Sequence, residues 1–403
     1  MKRLQGSLLA LALAGAVGMA QAQVSDGVIK IGVLSDMSSL YTDLAGAGSI
    51  VAAKMAVEDS GIEKRGYKVE IVSADHQNKA DVGSNIARQW YDVDKVDMIV
   101  DVPNSGVALA VSQITKDKGR AFLAVGAGSS DLTGKACTPN TIHWAYDTWM
   151  LANGTGTAIT KQGGDTWFFI AADYTFGATL ERDTSAAVLR NGGKVVGSVK
   201  VPLNTQDFSS FLLQAQASKA KIIGLANAGG DTTNSIKQAA EFGIVKGGQK
   251  LAGLLVFLTD IHSLGLQTAQ GLTFTETFYW DMNDQTRAFA KRFAPLDKGI
   301  YPTMVHAGVY AAVVHYLKAV EALKSDDGTK VIAKMKELQT DDPLFGKGTI
   351  RVDGRKIHPA YLVQVKTPAE SKAPWDYYKI VATIPADQAF RPLTDGDCPL
   401  AKK

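Results

Sequence analysis

The chain has 403 residues, of which 46% are hydrophobic and 21% are charged. This composition is too apolar for a disordered chain and too polar for a protein with many membrane spans, and the length predicts two or three domains. Lysine and arginine together number 43 against 40 acids, so the charge balance gives no support to nucleic-acid binding.

The first 22 residues have the three parts of a secretory signal peptide. The opening MKR is basic, residues 8–19 are apolar, and residues 20–22 (AQA) supply a small-residue cleavage site. We therefore expect cleavage after Ala22 and export of the mature protein. A buried N-terminal helix is the alternative interpretation.

Two cysteines are too few for a disulfide scaffold or a four-cysteine zinc site. In an oxidising compartment Cys137 and Cys398 are expected to pair with each other, which would tie the C-terminal tail to the body of the protein. Two separate buried thiols are the alternative.

Strand and helix patterns alternate through the first part of the chain. Runs of β-branched or alternating residues predict strands at 28–35, 67–74, 98–102 and 121–125. Apolar residues at helical spacing predict helices at 46–60, 81–93 and 105–117, the last capped by Asn104 or Ser105. This order favours a parallel sheet with helices on both faces.

The same alternation restarts after Asp147. Helices are predicted at 148–162, 177–190, 208–219 and 232–242, and strands at 167–171, 194–201, 222–225 and 251–255. Two long helices at 284–293 and 306–323 follow, and then β-hairpin sequence at 349–384. The sequence therefore predicts two α/β lobes.

Motifs for catalysis and for metal or cofactor binding are not found in the sequence. It contains no GxSxG, HExxH, GxxxxGK[ST] or CxxC, and its six histidines are scattered. We therefore expect a protein that is not an enzyme and has neither metal nor cofactor. An exported hydrolytic enzyme remains the alternative of another class, and would need a nucleophile, base or metal in the cleft. A receptor's sensing domain would need further chain after Lys403.

The loops that follow the predicted strands hold the candidate binding residues. Ligands of parallel sheets bind beyond the carboxyl ends of the strands, where helix N-termini offer unpaired N–H groups. In the first lobe these loops, at 36–41, 103–105 and 126–130, are rich in hydroxyl groups and glycine. In the second lobe they are 173–176 (DYTF) and 227–231 (NAGGD). Together they predict a carboxylate clamp that faces an aromatic wall, although helix capping alone explains each single Ser or Asn.

Several segments resemble the periplasmic branched-chain amino acid-binding proteins of ABC transporters. The resemblance begins in IKIGVLSDMSSLYTDLAGAGSIVAAKMAVEDSG and continues in ADHQNKAD, GAGSSDLTG, ADYTFGATLERD and SIKQAAEFGI. It covers nearly the whole mature chain, and GKGTIRVDGRKIHPAYLVQVK and WDYYKIVATIPADQAFRP resemble one subgroup, in which we expect aromatic or organic acids as ligands.

The resemblance implies a type I periplasmic-binding-protein fold, in which two doubly wound, Rossmann-like lobes are joined by a hinge of three crossings. The expected N-terminal lobe is 23–147 plus 278–358, the C-terminal lobe is 148–277 plus 359–390, and 391–403 is a tail. The resemblance also implies a periplasmic monomer that hands a small ligand to an inner-membrane ABC permease and performs no chemistry.

The resemblance further assigns the ligand contacts. The family holds the ligand carboxylate with a Ser-containing loop and a turn of small residues, and surrounds the ligand with aromatic side chains. The corresponding residues are Tyr41, Asn104, Ser105, Ala127, Gly128, Ser129, Tyr174, Phe176, Asn227, Ala228 and Phe257. Asn227-Ala228 departs from the aromatic residue usual at that place. His143, Trp144 and Tyr146 precede the first crossing and are expected to pack in the hinge, with a place in the cleft lining as the alternative.

The acid with which the family binds a ligand ammonium group is missing from its usual place. That acid follows the strand at 251–255, where this chain stays apolar until Asp260. A buried ammonium without a carboxylate partner costs several kcal/mol, so we expect a carboxylate ligand with an apolar or aromatic body, such as a benzoate- or cinnamate-like acid. If Asp260 or Asp231 reaches the ammonium, the alternative is a branched-chain or other amino acid.

Overall fold

The structure is a computed structural model that describes residues 24–402. The predicted signal peptide, residues 1–22, lies outside the described residues. Within residues 24–402, no helix combines the length and the apolar character needed to cross a membrane.

The first lobe is built on a five-stranded parallel sheet in the order β2-β1-β3-β4-β5. The strands are β1 (Ile29–Ser35), β2 (Val69–Asp75), β3 (Met98–Asp101), β4 (Ala121–Ala124) and β5 (Thr141–His143). The helices between them are α1 (Gly46–Ser60), α2 (Ala80–Asp92) and α3 (Ser105–Lys118). The sequence predicted each of these elements to within a residue or two except β5, which is too short to show a pattern.

The second lobe repeats this plan with four parallel strands in the order β7-β6-β8-β9. The strands are β6 (Thr166–Ala172), β7 (Lys194–Val201), β8 (Ile222–Ala226) and β9 (Lys250–Gly253). The helices are α4 (Thr148–Leu151), α5 (Thr157–Lys161), α6 (Thr175–Arg190), α7 (Ser209–Ala217) and α8 (Gly230–Glu241). The single helix predicted at 148–162 is interrupted by a π-helical turn, Ala152–Gly156, in which Gly154 packs so closely that a methyl group there would lie 2.3 Å from the Thr275 hydroxyl.

The C-terminal part of the chain contributes to both lobes. Its helices are α9 (Leu258–Leu264), α10 (Leu266–Ala269), α11 (Asp284–Phe293), α12 (Met304–Leu323), α13 (Gly328–Glu337) and α14 (Ala386–Ala389). Its strands are β10 (Thr273–Glu276), β11 (Thr340–Asp342), β12 (Gly346–Ile350), β13 (Lys356–Ile357), β14 (Ala360–Val365) and β15 (Tyr378–Ile384). Helix α12 is buried along most of its length in the core of the first lobe and packs against α1. Strands β10, β14 and β15 form an antiparallel sheet whose Phe274 and Val363 belong to the core of the second lobe.

The chain therefore passes between the two cores after β5, after β10 and after β13. The predicted α/β architecture of two doubly wound lobes is confirmed. The lobe boundaries drawn from the sequence, at residues 147, 277 and 358, stay a prediction.

The guanidinium of Arg355 ties the first of these passages to the last. It is fully buried, donates to the carbonyl oxygens of Trp144 and Tyr146, the latter at 3.0 Å, and lies 3.4 Å from the Asp147 carboxylate. The guanidinium carbon of Arg355, Cζ, also lies 4.4 Å from the centre of the Phe390 ring. Burial lowers the pKa of Arg355 to about 10, which leaves it charged at neutral pH. Because a buried charge must keep its partners, this group fixes the hinge segments relative to one another.

The tail after β15 returns to the first lobe. Cys398 is bonded to Cys137, with the two Cα atoms 5.6 Å apart, and Arg391 donates to the carbonyl oxygen of Ser130 at 2.9 Å. The tail is thus anchored beside the loop that follows β4.

Replacing both cysteines by serine should lower the free energy of unfolding. The disulfide spans 261 residues, and restricting so long a loop in the unfolded chain stabilises the fold by about 5 kcal/mol in the loop-entropy model. Urea unfolding followed by circular dichroism measures the loss. Reducing agent should destabilise the wild type in the same way and leave the double variant unaffected, and equal midpoints for the two proteins would contradict the prediction.

Candidate functional site

The carboxyl ends of the two parallel sheets face each other across a cleft. In each sheet the strand order reverses at one point, between β1 and β3 and between β6 and β8, and open α/β sheets bind ligands at such points. A cavity lies in this cleft. It is lined by Tyr41, Leu44, Pro103, Gly126, Gly128, Tyr146, Tyr174, Phe176, Ala228, Leu255 and Phe257.

The loop after β1 is held by one buried carboxylate, that of Asp36. It accepts hydrogen bonds from the N–H groups of Ser39 at 3.0 Å and Tyr41 at 2.8 Å, and from the side-chain amide of Asn78 at 2.6 Å. Tyr41 is only 2% exposed. The loop therefore presents the Tyr41 ring to the cleft in a fixed position.

The loop between β3 and α3 uses its polar side chains to hold its own structure. The side-chain oxygen of Asn104 accepts from the N–H groups of Gly106 and Val107 and so caps α3. The hydroxyl of Ser105 accepts from the N–H of Ser129 at 3.1 Å, which links this loop to the one after β4. Neither Asn104 nor Ser105 lines the cavity.

The turn after β4 is fixed through its carbonyl groups. The hydroxyl of Tyr146 donates to the carbonyl oxygen of Gly126, and Nε2 of His143 lies 2.6 Å from the carbonyl oxygen of Ala127. The N–H groups of Ala127 and Gly128 have no hydrogen-bond partner within residues 24–402. The turn therefore has two N–H groups to offer, beside the N-terminus of the 14-residue helix α3.

Aromatic rings form the facing wall. Phe176, in the first turn of α6, packs so closely on Gly128 that a methyl group at Gly128 would lie 2.7 Å from its Cε2 atom. The Tyr174 ring centre is 6.1 Å from that of Phe176, and the Phe257 ring meets that of Tyr146 edge to face at 6.1 Å. The cleft is thus narrow, apolar and aromatic.

The two lobes touch across the cleft. The hydroxyl oxygens of Tyr41 and Tyr174 are 2.6 Å apart, and the N–H of Gly230 donates to the carbonyl oxygen of Leu40 at 3.4 Å. The cavity lined by the aromatic rings measures about 10 Å³, room for about one water molecule. A larger ligand therefore requires the lobes to separate.

Among residues 24–402, no charged side chain lines the cavity. The carboxylate of Asp260 accepts from the N–H of Phe257 at 2.8 Å, and that of Asp231 accepts from the N–H of Asn204 at 3.2 Å. Burial raises the pKa of Asp260 to about 7 and that of Asp231 to about 6. Neither acid lines this cavity, although Asp260 lines a neighbouring cavity of about 270 Å³ between the same lobes.

The structure brings six of the eleven predicted site residues to the cavity, namely Tyr41, Gly128, Tyr174, Phe176, Ala228 and Phe257. The other five lie behind its surface: Asn104, Ser105, Ala127, Ser129 and Asn227. Asn227, for example, accepts from the Thr232 hydroxyl at 2.7 Å and so supports the first turn of α8. Their part in ligand binding stays a prediction.

Sequence reasoning missed several lining residues. Tyr146 was assigned to hinge packing, with a place in the cleft lining as the alternative; its ring lines the cavity while its carbonyl group binds Arg355. Leu44, Pro103, Gly126 and Leu255 also line the cavity. Pro103 and Gly126 fall in the predicted strand-end loops, whereas nothing in the sequence distinguishes Leu44 or Leu255 from core leucines.

A metal site is not found in the described part of the chain. Among residues 24–402, no group of three or more His, Cys, Asp or Glu side chains could hold a metal ion.

A family model for periplasmic binding proteins matches residues 28–372. A crystal structure of a periplasmic binding protein from Burkholderia mallei has 51% sequence identity, covers 93% of this chain and 99% of that chain, and superposes with a TM-score of 0.90. A branched chain amino acid ABC transporter periplasmic ligand-binding protein from Burkholderia xenovorans LB400 has 43% identity over 93% of this chain and 100% of that chain, with a TM-score of 0.82.

A more distant structure shares the fold. A solute binding protein of an ABC transporter from R. palustris, in complex with benzoate, is 20% identical over 93% of this chain and 100% of that chain, with a TM-score of 0.80.

Changing Asp260 to Asn should reduce the loss of stability with rising pH. Because burial raises the pKa of Asp260 from 3.8 to about 7, the folded state binds its proton more tightly than the unfolded state, and stability falls as pH rises between those values. Asparagine keeps the acceptor for the Phe257 N–H but does not titrate. Chemical unfolding at pH 5, 6, 7 and 8 measures the free energy of unfolding.

Burial lowers the pKa values of His76, His306 and His315 to about 4, so these groups make stability rise with pH and oppose the effect of Asp260. The contribution of Asp260 is therefore the difference in free energy of unfolding between variant and wild type at each pH. Asp165→Asn is the matched control, because a hydrogen bond from Lys221 lowers the pKa of this exposed carboxyl and places its contribution below pH 5. Identical pH slopes for Asp260→Asn and wild type would contradict the prediction.

Proposed function

The chain belongs to the periplasmic binding protein family, and from this premise we propose that it captures a small carboxylic acid with an aromatic or apolar body. It delivers that acid to the membrane permease of an ABC importer, and it works as a monomer that performs no chemistry. The observation that carries the proposal is the cavity lining, which contains five aromatic rings and no charged side chain.

The turn at Ala127 and Gly128 is suited to the carboxylate. Its two unpaired N–H groups and the N-terminus of α3 attract an anion without a cationic side chain. The hydroxyl groups of Ser105 and Ser129 accept hydrogen bonds within the loops, and each retains its own O–H proton as a further donor. The negative group is thus bound by local dipoles.

The aromatic wall is suited to a ring. Phe176, Phe257 and Tyr146 present apolar surface, and aromatic pairs in offset or edge-to-face geometry gain about 1 kcal/mol beyond area burial. The related R. palustris protein is described in complex with benzoate, which supports an aromatic acid as ligand on the same fold.

Amino acids are the second candidate. The 43% identical protein from Burkholderia xenovorans is described as a branched chain amino acid transporter component, which favours them. Against them, no carboxylate is among the residues that line this cavity, and Asp231 and Asp260 already accept hydrogen bonds from backbone N–H groups. Burying an unpaired ammonium would cost several kcal/mol.

Binding is coupled to closure of the lobes. An aromatic ring needs a cavity of about 150 Å³, so a cavity of about 10 Å³ admits it only after the lobes separate. Once inside, the ligand contacts both walls and favours the closed state by its differential affinity for it.

Wild-type protein, freed of any retained ligand by unfolding and refolding with its disulfide intact, should bind benzoate-like acids much more tightly than leucine. The missing ammonium partner predicts a preference of at least about a hundredfold. Isothermal titration calorimetry with benzoate, cinnamate, leucine and isoleucine measures it. Tight leucine binding together with no binding of either aromatic acid would reject the proposal in favour of amino acids.

Changing Gly128 to Ala should weaken the binding of aromatic acids by about fivefold or more, because overpacking a close contact costs about 1–3 kcal/mol. The added methyl group would lie 2.7 Å from the Phe176 ring and 3.1 Å from that of Tyr146 in the closed cleft. Gly247→Ala, in an exposed loop far from the lining, is the matched control. Unchanged affinity in the Gly128 variant would exclude this turn from the binding site.

A further inference from the structure

The polar side-chain atoms of the cavity lining are three phenolic hydroxyl groups, those of Tyr41, Tyr146 and Tyr174. The hydroxyl of Tyr146 donates to the carbonyl oxygen of Gly126 and so supports the turn after β4. The hydroxyl groups of Tyr41 and Tyr174 bond only to each other within residues 24–402, at 2.6 Å. We call these two groups the tyrosine pair.

One hydroxyl proton of the tyrosine pair is not used in a hydrogen bond. Two hydroxyl groups carry two protons, and one hydrogen bond between them uses only one. The second proton has no acceptor in the described part of the chain. Because a buried donor without a partner is unfavourable, a ligand atom that accepts this proton gains affinity.

The tyrosine pair and the turn at Gly128 lie at different places in the cavity. Gly128 is flanked by the rings of Phe176 and Tyr146. Tyr41 lies beside Gly229, where a methyl group would be 3.1 Å from its Cδ1 atom. A ligand with its carboxylate at Gly128 can therefore present a second group to the tyrosine pair.

The surroundings of the pair favour a neutral group. The carboxylate of Asp36 accepts from the N–H of Tyr41 at 2.8 Å, and Asp231 lies in the first turn of α8, two residues after Gly229, which the Tyr41 ring approaches. Burial raises the pKa of Tyr41 far above its usual range, and the charges of Asp231 and Asp36 act in the same direction. Negative charge on this side repels a second anion but not a hydroxyl group.

The pair also joins the two lobes, since Tyr41 follows β1 and Tyr174 follows β6. A ring ligand that separates the lobes breaks this hydrogen bond. A ligand hydroxyl group between the two tyrosines can accept from one and donate to the other, and so replaces the contact between the lobes.

We propose that Tyr41 and Tyr174 together recognise a hydroxyl group on the ligand ring, opposite its carboxylate, so that the preferred ligands are hydroxylated aromatic acids. This inference depends on the proposed function, because it presupposes an aromatic acid bound by its carboxylate at Gly128.

The test compares three acids on four proteins by calorimetry. The acids are 4-hydroxybenzoate, 4-methylbenzoate, which has a similar size but no hydroxyl group, and benzoate. The proteins are the wild type, Tyr41→Phe, Tyr174→Phe and the control Tyr316→Phe. Tyr316 is buried far from the lining, and its hydroxyl group has no hydrogen-bond partner in the described residues. Unfolding curves verify that each variant is folded.

We expect the wild type and Tyr316→Phe to prefer 4-hydroxybenzoate over 4-methylbenzoate by at least about tenfold. In Tyr41→Phe and Tyr174→Phe this preference should fall to within about threefold. A preference that survives both substitutions would overturn the inference. So would an equal loss of affinity for all three acids, which would mean that the pair binds the carboxylate.

The two proposals fail in different ways. If the wild type binds leucine tightly and neither cinnamate nor any of the three acids, the proposed function is wrong and the inference falls with it; if it binds cinnamate but none of the three acids, only the inference is overturned. If it binds benzoate but shows no dependence on Tyr41 or Tyr174, the proposed function stands and only the inference is overturned.

Discussion

The buried guanidinium of Arg355 is the interaction on which the arrangement of the two lobes depends. It donates to the carbonyl groups of Trp144 and Tyr146, which lie where the chain first passes between the lobes. Arg355 itself directly precedes β13, after which the chain passes between the lobes for the last time. A charge that is fully buried cannot exchange these partners for water without a large free-energy cost. The hinge thus has a fixed centre, and Tyr146, held by its carbonyl group, places its ring in the cleft.

The cleft separates groups that build the loops from groups that face a ligand. The side chains of Asp36, Asn104 and Ser105 accept hydrogen bonds from backbone N–H groups, and these bonds set the positions of the loops. What remains exposed to the cavity is backbone N–H at the turn after β4, aromatic surface and the tyrosine pair. Selectivity in such a site comes from shape and a few dipoles, which agrees with an overall charge close to neutral.

Periodicity predicted most of the scaffold because amphipathic helices and buried strands leave local patterns in the sequence. It missed β5 and β10, which have three and four residues and owe their existence to pairing with distant strands. It also merged α4 and α5 into one regular helix; at the π-helical turn between them Gly154 packs closely on Thr275, a contact with a residue far along the chain that no local pattern reveals. The strand-end loops were placed correctly, since the carboxyl ends of parallel strands share one edge of a sheet.

The sequence by itself determined the two-lobe α/β architecture, the family resemblance and the loops that meet in the cleft, because each depends on local pattern or on a contiguous motif. Only the tertiary structure decided which side chains of those loops face the cavity. Asn104 and Asn227 turn to cap or support their helices, whereas Tyr146 and Leu255 reach the lining. It also decided that Asp231 and Asp260 bind backbone N–H groups and do not line the cavity, and that Tyr41 meets Tyr174 across the lobes. The physical reason is that such orientations are set by hydrogen bonds and packing between residues far apart in sequence.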